Sequence, residues 1–284
     1  MSTDKAKDAL GTVDGSERSP PSSRATPAVT FDLWHTLCYL DEPTEERYVH
    51  QQVELAVAAL LEEPGGERVS NSGSAEQMRE AFVRERRAAN AAAEEGRVVS
   101  LETQLTLAAS SIGRRADVGA YLRSLSAELG RTSFRSAPGA QEVLRSLKAA
   151  GYRLGIISNT VGEKGAFLRP VLERIGLVPT LDVFLFSDEM AWTKPHPSIF
   201  RDALHRLGSS PAHAVHVGDA WADIEGARRA GLRAAVLFTG LQDYSPSYRE
   251  IVRPGGARPM AAEHKIAQLS ELPPLLRTLL PLGG

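Results

Sequence analysis

The hydrophobic positions of this chain follow two alternating patterns that predict different elements. Five short apolar runs have the length of buried strands, and they lie at residues 28–33, 153–158, 183–187, 214–218 and 233–238. Segments with helical spacing separate the later runs, at residues 140–150, 197–207 and 223–230. This alternation predicts an α/β fold, with a parallel sheet covered by helices on both faces and ligands bound at the carboxyl ends of the strands.

The stretch between the first and second strands has a different character. Its apolar residues recur at helical spacing in four segments, at residues 45–61, 74–95, 101–112 and 116–129. We therefore expect an α-helical domain at 41–134, inserted into a core formed by 28–40 and 135–284. Residues 1–27 are rich in Ser, Pro and charge and predict a disordered tail, and the Gly-rich stretch 63–74 predicts a flexible connection. The segment after residue 240 reads as loop, followed by a terminal helix at 274–280.

Composition narrows the class of protein. The 33 Lys and Arg residues nearly balance the 35 Asp and Glu residues, so no strong basic field argues for nucleic acid or an acidic membrane surface. No apolar run reaches the length of a membrane span. The chain has one cysteine, Cys38, which excludes an internal disulfide and fits a reducing compartment. We expect a cytoplasmic protein; the oligomeric state is not readable from the sequence.

Polar residues follow the first two predicted strands. Asp32 ends the run Ala-Val-Thr-Phe-Asp at 28–32, and a carboxylate in this position can act as a nucleophile. An aspartate at a strand end is more often a turn or cap residue when it stands alone. Ser158 and Asn159 follow the second strand, where a hydroxyl and an amide can bind a phosphoryl oxygen or, more simply, cap the next helix.

Two later segments complete the predicted site. Lys194, in Thr-Lys-Pro-His-Pro at 193–197, places an ammonium group where it can neutralise a nucleophile and the group that it receives. Asp219 and Asp223 straddle a strand end and a helix start in Gly-Asp-Ala-Trp-Ala-Asp. Together with Asp32 they offer the hard oxygen ligands that Mg²⁺ prefers. Each residue has an ordinary structural explanation, but those explanations do not predict this order at successive strand ends.

These four segments resemble, in order, the motifs of the haloacid dehalogenase superfamily of aspartate-nucleophile hydrolases. The resemblance covers residues 28 to about 240. It implies a Rossmann-like core with a helical cap inserted between the first and second motifs. It also implies that Asp32 is the nucleophile, that Ser158 and Lys194 bind the transferred group, and that Mg²⁺ is held by Asp219, Asp223, Asp32 and the backbone carbonyl of Trp34.

Trp34 departs from the family's phosphatases, which carry an acid/base aspartate at this position, because an indole donates a hydrogen bond but does not shuttle protons. We favour a Mg²⁺-dependent phosphatase that acts on a small phosphorylated metabolite through an aspartyl-phosphate intermediate. Trp34 and His35 would line the substrate site, and His35 is a replacement acid to be tested. The alternatives are a 2-haloacid dehalogenase with a cap arginine such as Arg47, a phosphonate hydrolase, and a phospho-ligand binding module without turnover. The arginines at 84–87 read as a solvated helix face.

Overall fold

The protein is described by a computed structural model that covers residues 25–61, 74–241, 244–253, 258 and 260–282. The predicted tail at 1–27 lies outside these residues except for its last three positions. The predicted flexible connection at 63–74 lies outside them except for Ser74.

A six-stranded parallel sheet forms the core. Its strands lie in the order β5-β4-β1-β6-β7-β8, with β1 between β4 and β6. Five strands correspond to the predicted runs, and the sixth, at the edge, was missed because three residues containing His and Lys give no apolar signal. The strands are β1 (Ala28–Phe31), β4 (Arg153–Ser158), β5 (Val183–Phe186), β6 (Ala214–Gly218), β7 (Ala234–Phe238) and β8 (His264–Ile266).

Helices cover both faces of the sheet, as predicted. On one face, strand residues such as Phe31 and Ile156 join a core with α5, α6 and α9, and on the other Ile157 packs against Phe200 and its neighbours from α7 and α8. Strands buried on both faces explain why these runs read as continuously apolar. The helices are α5 (Ala140–Ala150), α6 (Gly165–Arg174), α7 (Pro197–Arg206), α8 (Trp221–Ala230) and α9 (Leu272–Leu279).

Four helices lie between β1 and β4, and we call them the helical insert: α1 (Glu42–Leu61), α2 (Ala75–Glu94), α3 (Leu101–Ser111) and α4 (Val118–Arg131). Their starts follow local capping rules: Ser74, Ser100 and Asp117 each accept a backbone hydrogen bond from the first turn. The insert has its own apolar interior, in which α2 packs on α1 and α3. A two-stranded antiparallel ribbon, β2 (Cys38–Tyr39) with β3 (Arg135–Ser136), joins its two ends and was not predicted.

The residues after β7 make contacts that the sequence did not indicate. The segment 244–253, which contains a π-helical turn at Tyr248–Val252, packs against α1 and α2. Its Ser247 donates to Glu46 of α1 at 2.6 Å, and Glu250 pairs with Arg87 of α2 at 3.0 Å. This segment therefore connects the core to the helical insert beside the carboxyl edge of the sheet.

Among the residues that the structure describes, no helix is both long enough and apolar enough to cross a membrane.

Candidate active site

The predicted site residues meet at the carboxyl edge of the three central strands. Asp32 follows β1, Ser158 ends β4, and Asp219 follows β6, so the parallel pairing of β4, β1 and β6 brings the three segments side by side. The backbone N–H of Asp32 donates to Val217 O at 2.8 Å, which fixes the turn after β1 to the neighbouring strand. The strand order changes direction at β1, which is where open α/β sheets bind their ligands.

Lys194 lies between two of the carboxylates. Its Nζ is 2.5 Å from Asp32 Oδ1 and 2.6 Å from Asp223 Oδ1, and its side chain is only 3% exposed. Asn159 holds the lysine backbone from both sides, since its Nδ2 donates to Lys194 O at 2.8 Å and its Oδ1 accepts from Lys194 N at 2.9 Å. Asn159, predicted as a phosphate ligand, thus has its amide engaged in positioning Lys194.

Asp223 is held in place by the backbone around it. It lies in the first turn of α8, and its Oδ2 accepts the N–H of Ala220 at 2.9 Å. Its carboxylate lies directly over Gly218, where a Cβ would be 2.3 Å from Asp223 Cγ. No other residue fits at position 218 without moving the carboxylate, which explains the spacing of glycine and aspartate in this segment.

A buried histidine extends the network beneath the carboxylates. His216 of β6 lies opposite Thr30 of β1, with its Nδ1 2.9 Å from Thr30 Oγ1 and its Nε2 3.1 Å from Asp223 Oδ1. Burial lowers the pKa of His216, which favours the neutral ring. A carboxylate can only accept, so Nε2 donates to Asp223 and Nδ1 accepts from the threonine hydroxyl.

The ionisation of the carboxylates follows from this arrangement. Burial is the largest cause that raises the pKa of Asp32 to about 8; Lys194 opposes the shift, and the charges of Asp223 and Asp219 add to it. Burial also acts against ionised Asp223, but Lys194 and His216 outweigh it and lower the pKa of that carboxyl. The two acids raise the pKa of Lys194 despite its burial. The site therefore holds a charged lysine and an ionised Asp223 next to a nucleophile that another cation would help to ionise.

The residues present fit a hard divalent cation. Asp32, Asp219 and Asp223 are buried, and one ligand oxygen of each lies within 4.8 Å of the others. Tyr244 donates its hydroxyl to Asp219 Oδ2, and Arg253 Nη2 lies 3.6 Å from the same oxygen. Within the part of the chain that is described, Asp32 Oδ2 and Asp219 Oδ1 accept no hydrogen bond, and neither does the Trp34 carbonyl. These free oxygens are of the type that Mg²⁺ prefers.

Two predicted ligand-binding side chains are buried without a partner. Ser158 Oγ and Trp34 Nε1 have no hydrogen-bond partner among the described residues. Trp34 lines the cavity above Asp32 and packs against Phe134, with ring centroids 5.4 Å apart. The cavity wall includes Asn159 but not Ser158 itself. An unpaired buried donor is costly, and a ligand oxygen that reached either group would remove that cost.

His35 is turned toward the helical insert. Its backbone has a φ of 54°, a left-handed conformation that is rare for a residue other than glycine. Its Nδ1 is 3.2 Å from Leu241 O and its Nε2 is 2.9 Å from Glu45 Oε1 of α1. The ring also packs edge-on against Tyr244. His35 lines the cavity, and its Nε2 lies within ion-pair distance of Glu45 but makes no hydrogen bond to the residues that the structure describes.

The cavity over Asp32 has a volume of about 180 Å³ and lies between the core and the helical insert. Arg47, the cap arginine of the dehalogenase alternative, does not reach it: Arg47 is exposed, and its Nε donates to Pro43 O at 3.3 Å. Arg86 of α2 lines the cavity instead and is buried. The prediction of a solvated face at 84–87 is therefore wrong for Arg86, while Arg84 is exposed and Arg87 is half-buried.

Comparison with known proteins decides the family. Residues 26–231 match the family model of the haloacid dehalogenase-like hydrolases. The chain belongs to this hydrolase family. The predicted nucleophile, lysine and carboxylates all lie within the matched residues.

Curated relatives of this haloacid dehalogenase-like hydrolase include phosphatases. It is 33% identical over 139 residues to a haloacid dehalogenase-like hydrolase domain-containing protein 3 of Bos taurus, covering 49% of this chain and 50% of that protein. It is 37% identical over 110 residues to a glyceraldehyde 3-phosphate phosphatase of Methanothermobacter thermautotrophicus, covering 38% and 47%. It is 31% identical over 103 residues to a phosphoglycolate phosphatase of Nitrosococcus oceani, covering 36% and 44%. The chain spans about half the length of these relatives or less.

Solved structures support the fold of this hydrolase. A haloacid dehalogenase-like phosphatase from Thermococcus onnurineus has a TM-score of 0.58 at 23% identity, covering 88% of this chain and 97% of that one. A 2-haloacid dehalogenase from Pseudomonas syringae has a TM-score of 0.56 at 23% identity, covering 89% and 99%. Phosphatases and dehalogenases thus share this architecture, so the reaction must be argued from the site.

Three features of the site of this hydrolase were missed by sequence reasoning. His216 had a readable signal, because it is a polar residue in the middle of an otherwise apolar strand. Arg86 had none, because it stands in a run of charged residues on a helix. Tyr244 and Arg253, which contact Asp219, lie in a stretch that reads as loop.

Proposed function

We propose that this hydrolase is a Mg²⁺-dependent phosphatase that acts on a small phosphorylated metabolite through an aspartyl-phosphate on Asp32. The observation that carries the proposal is the third carboxylate. Displacement of a halide by Asp32 has no need of Asp219, whereas Asp32, Asp219 and Asp223 with ligand oxygens within 4.8 Å of one another suit a metal-assisted phosphoryl transfer. Relatives that are named as phosphatases support the same choice.

The chain's own residues account for the phosphoryl transfer. An oxygen of Asp32 attacks phosphorus, the bond from phosphorus to the ester oxygen breaks, and the leaving oxygen takes a proton. Water then attacks the same phosphorus, which breaks the bond to Asp32 and releases inorganic phosphate. Lys194, 2.5 Å from Asp32, offsets the negative charge, and Ser158 Oγ is a free donor for a phosphoryl oxygen. Mg²⁺, held by the three aspartates and the Trp34 carbonyl, would supply further neutralisation of that charge.

Proton transfer to the leaving group is the weak part of this mechanism. Trp34 stands where a carboxylic acid would serve, and its indole N–H stays protonated at neutral pH. His35 Nδ1 is 3.2 Å from Leu241 O, and its Nε2 is 2.9 Å from Glu45 Oε1 without a hydrogen bond. With no acid at position 34, we take water as the proton source for the leaving oxygen, which favours substrates with good leaving groups.

The helical insert is assigned as the cap of this active site. Its helices α1 and α2 supply Tyr48, Gln52 and Arg86 to the cavity wall, opposite Asp32. A cap in this position excludes water from the reacting phosphoryl group and contacts the rest of the substrate.

A second candidate, displacement of halide from a 2-haloacid, is favoured by one observation: the side chain at position 34 is an indole and not an acid. In that reaction Asp32 attacks carbon, halide leaves without protonation, and no metal is required. Release of chloride in the presence of a chelator, without phosphate release from any ester, identifies this reaction.

The test is a screen of phosphate esters, with inorganic phosphate as the product measured. We expect turnover with Mg²⁺, loss of turnover with EDTA, and recovery when Mg²⁺ is restored. Asp32→Asn removes the nucleophile and is expected to abolish turnover while the protein stays folded by circular dichroism. Asp202→Asn, at an exposed position on α7, is the matched control and should keep wild-type activity. Equal activity of wild type and Asp32→Asn rejects the mechanism, and tight binding of phosphate esters without turnover points to a binding module.

A further inference from the structure

Arg86 of α2 is a buried cation with unused hydrogen-bonding capacity. Its Nε donates to Gln104 Oε1 at 2.7 Å, and its Nη1 donates to Gln52 Oε1 at 3.0 Å. The residue is only 3% exposed, yet Nη2 has no partner among the residues that the structure describes. Two glutamines thus hold the guanidinium group in a fixed orientation, and its Nη2 makes no hydrogen bond to a described residue.

The guanidinium group lies against the loop that follows β4. A Cβ at Gly162 would be 2.6 Å from Arg86 Nη1, so the absence of a side chain there lets the arginine approach the backbone. The same loop follows Ser158, the last residue of β4, and begins with Asn159. Arg86, Gly162 and Asp32 line one cavity, and α2 therefore brings a cation to the chamber that contains the nucleophile.

The protein itself leaves the charge of Arg86 without a direct counter-ion. Both hydrogen-bond partners are neutral amide oxygens, and within the described ranges no carboxylate is in ion-pair contact with the guanidinium group. The nearby Glu163 makes no ion-pair contact with Arg86; its Oε1 accepts from Tyr48 Oη at 3.2 Å and from Gln52 Nε2 at 2.9 Å. Burial raises the pKa of Glu163, and the charge of Arg86 opposes that rise only in part. A buried cation without a paired anion is costly, and a ligand anion removes that cost.

We propose that Arg86 binds a second anionic group of the substrate, separate from the phosphoryl group that Asp32 receives. The inference rests on the proposed phosphatase function and adds the substrate class: a phosphate ester that also carries a carboxylate or a second phosphate. The guanidinium group donates to an oxygen of that group, and Gln52 and Gln104 are positioning residues for the guanidinium. Arginine suits this task because its planar fork matches the oxygens of both anions.

Matched pairs of substrates test the inference. 3-Phosphoglycerate and glycerol 3-phosphate differ by a carboxylate, and fructose 1,6-bisphosphate and fructose 6-phosphate differ by a second phosphate. In at least one pair we expect wild type to favour the member with two anionic groups by about tenfold to hundredfold in kcat/KM, the range for a hydrogen bond to a charged group. Preference in the first pair identifies a carboxylate, and preference in the second identifies a phosphate. Turnover of both pairs with no preference in wild type overturns the inference and leaves the phosphatase proposal intact.

Variants separate recognition from stability. Arg86→Gln should reduce the preference to about threefold or less by lowering kcat/KM only for the substrate with two anionic groups, and Arg86→Lys should keep part of the preference. Arg84→Gln, on the exposed face of the same helix, is the control and should keep the wild-type ratio. An equal loss on both members of a pair in Arg86→Lys and Arg86→Gln indicates a structural role and overturns the inference.

Calorimetry gives a readout that does not need turnover. Phosphonoacetate carries a carboxylate that methylphosphonate lacks, and wild type should bind it at least about tenfold more tightly, a difference that Arg86→Gln removes. If this holds while no ester is hydrolysed, Arg86 recognises the anion and the phosphatase proposal fails instead. If methylphosphonate and phosphonoacetate bind equally, and the bisphosphate shows no preference, Arg86 is not an anion site.

Discussion

Removal of the buried lysine tests the electrostatic account of the site. In Lys194→Met the side chain keeps its approximate length, but two carboxylates lose the ammonium group that lies 2.5 Å from Asp32 and 2.6 Å from Asp223. Both carboxylates are nearly inaccessible to water, at 10% and 0% exposure of their side chains. Breaking a buried ion pair by removing one partner costs about 3 to 5 kcal/mol, because the remaining charge is buried without compensation.

Thermal and urea unfolding of metal-free protein measure this cost. For a chain of this size each kcal/mol corresponds to about 2 to 4 °C, so the melting temperature should fall by about 6 to 20 °C. Lys265→Met, at an exposed position on β8, is the control and should change stability by less than about 0.5 kcal/mol. Excess Mg²⁺ should restore more stability to Lys194→Met than to wild type, because a bound cation replaces part of the lost charge.

The pH dependence of this cost has a definite sign. In wild type the pKa of Asp223 is lowered below 3.8, so its contribution to stability is present above that value and is lost only as pH falls through the folded pKa. Burial already raises the folded pKa of Asp32 to about 8 in wild type, so its contribution to stability is lost as pH rises toward that value. Without Lys194 the folded pKa of Asp32 rises further and that of Asp223 rises above its unfolded value, so more stability is lost as pH rises. The difference between variant and wild type should therefore be larger at pH 8 than at pH 5. A cost below about 1 kcal/mol at pH 8, or a cost that grows toward acid, refutes the reasoning.

Two further substitutions test the reacting groups. Trp34→Asp supplies the missing acid/base carboxylate and should raise phosphomonoester hydrolysis by up to about 10²-fold. The rate is measured per folded protein, because loss of the contact with Phe134 costs stability. If no ester gains, proton transfer to the leaving group does not limit the rate. Asp219→Asn should weaken the activation of phosphate release by Mg²⁺ at least about tenfold, seen as a higher Mg²⁺ concentration at half-maximal rate, whereas unchanged Mg²⁺ dependence removes Asp219 from the metal site.

The hydrophobic pattern within single segments was sufficient to predict most elements of the fold. Residues 153–158, 214–218 and 140–150 were predicted with the bounds that the structure has, because each is apolar along its whole length or at a clear helical period. The edge strand β8 and the ribbon of β2 with β3 escaped because two or three residues carry no period. Such short strands form only because they pair with a strand that is distant in the sequence.

The candidate site also has a part that the sequence predicts and a part that it does not. The sequence by itself determined that Asp32, Ser158, Lys194, Asp219 and Asp223 follow one another at strand ends, since parallel strands present those ends at a common edge. The sequence did not determine which charged side chains of the helical insert are buried and which are exposed. Arg86 and Arg84 stand two residues apart on one helix, yet one is buried in the cavity and the other is exposed.

Only the tertiary structure decided the surroundings of the reacting groups. The bond from His216 to Asp223, the contact of Arg86 with the Gly162 loop and the approach of segment 244–253 to Asp219 all join residues whose meeting depends on how helices and loops pack. Hydrophobic periodicity specifies which face of an element is buried, but not which polar group of a distant segment it meets there. That information lies in packing between segments and not in the order of residues within one of them.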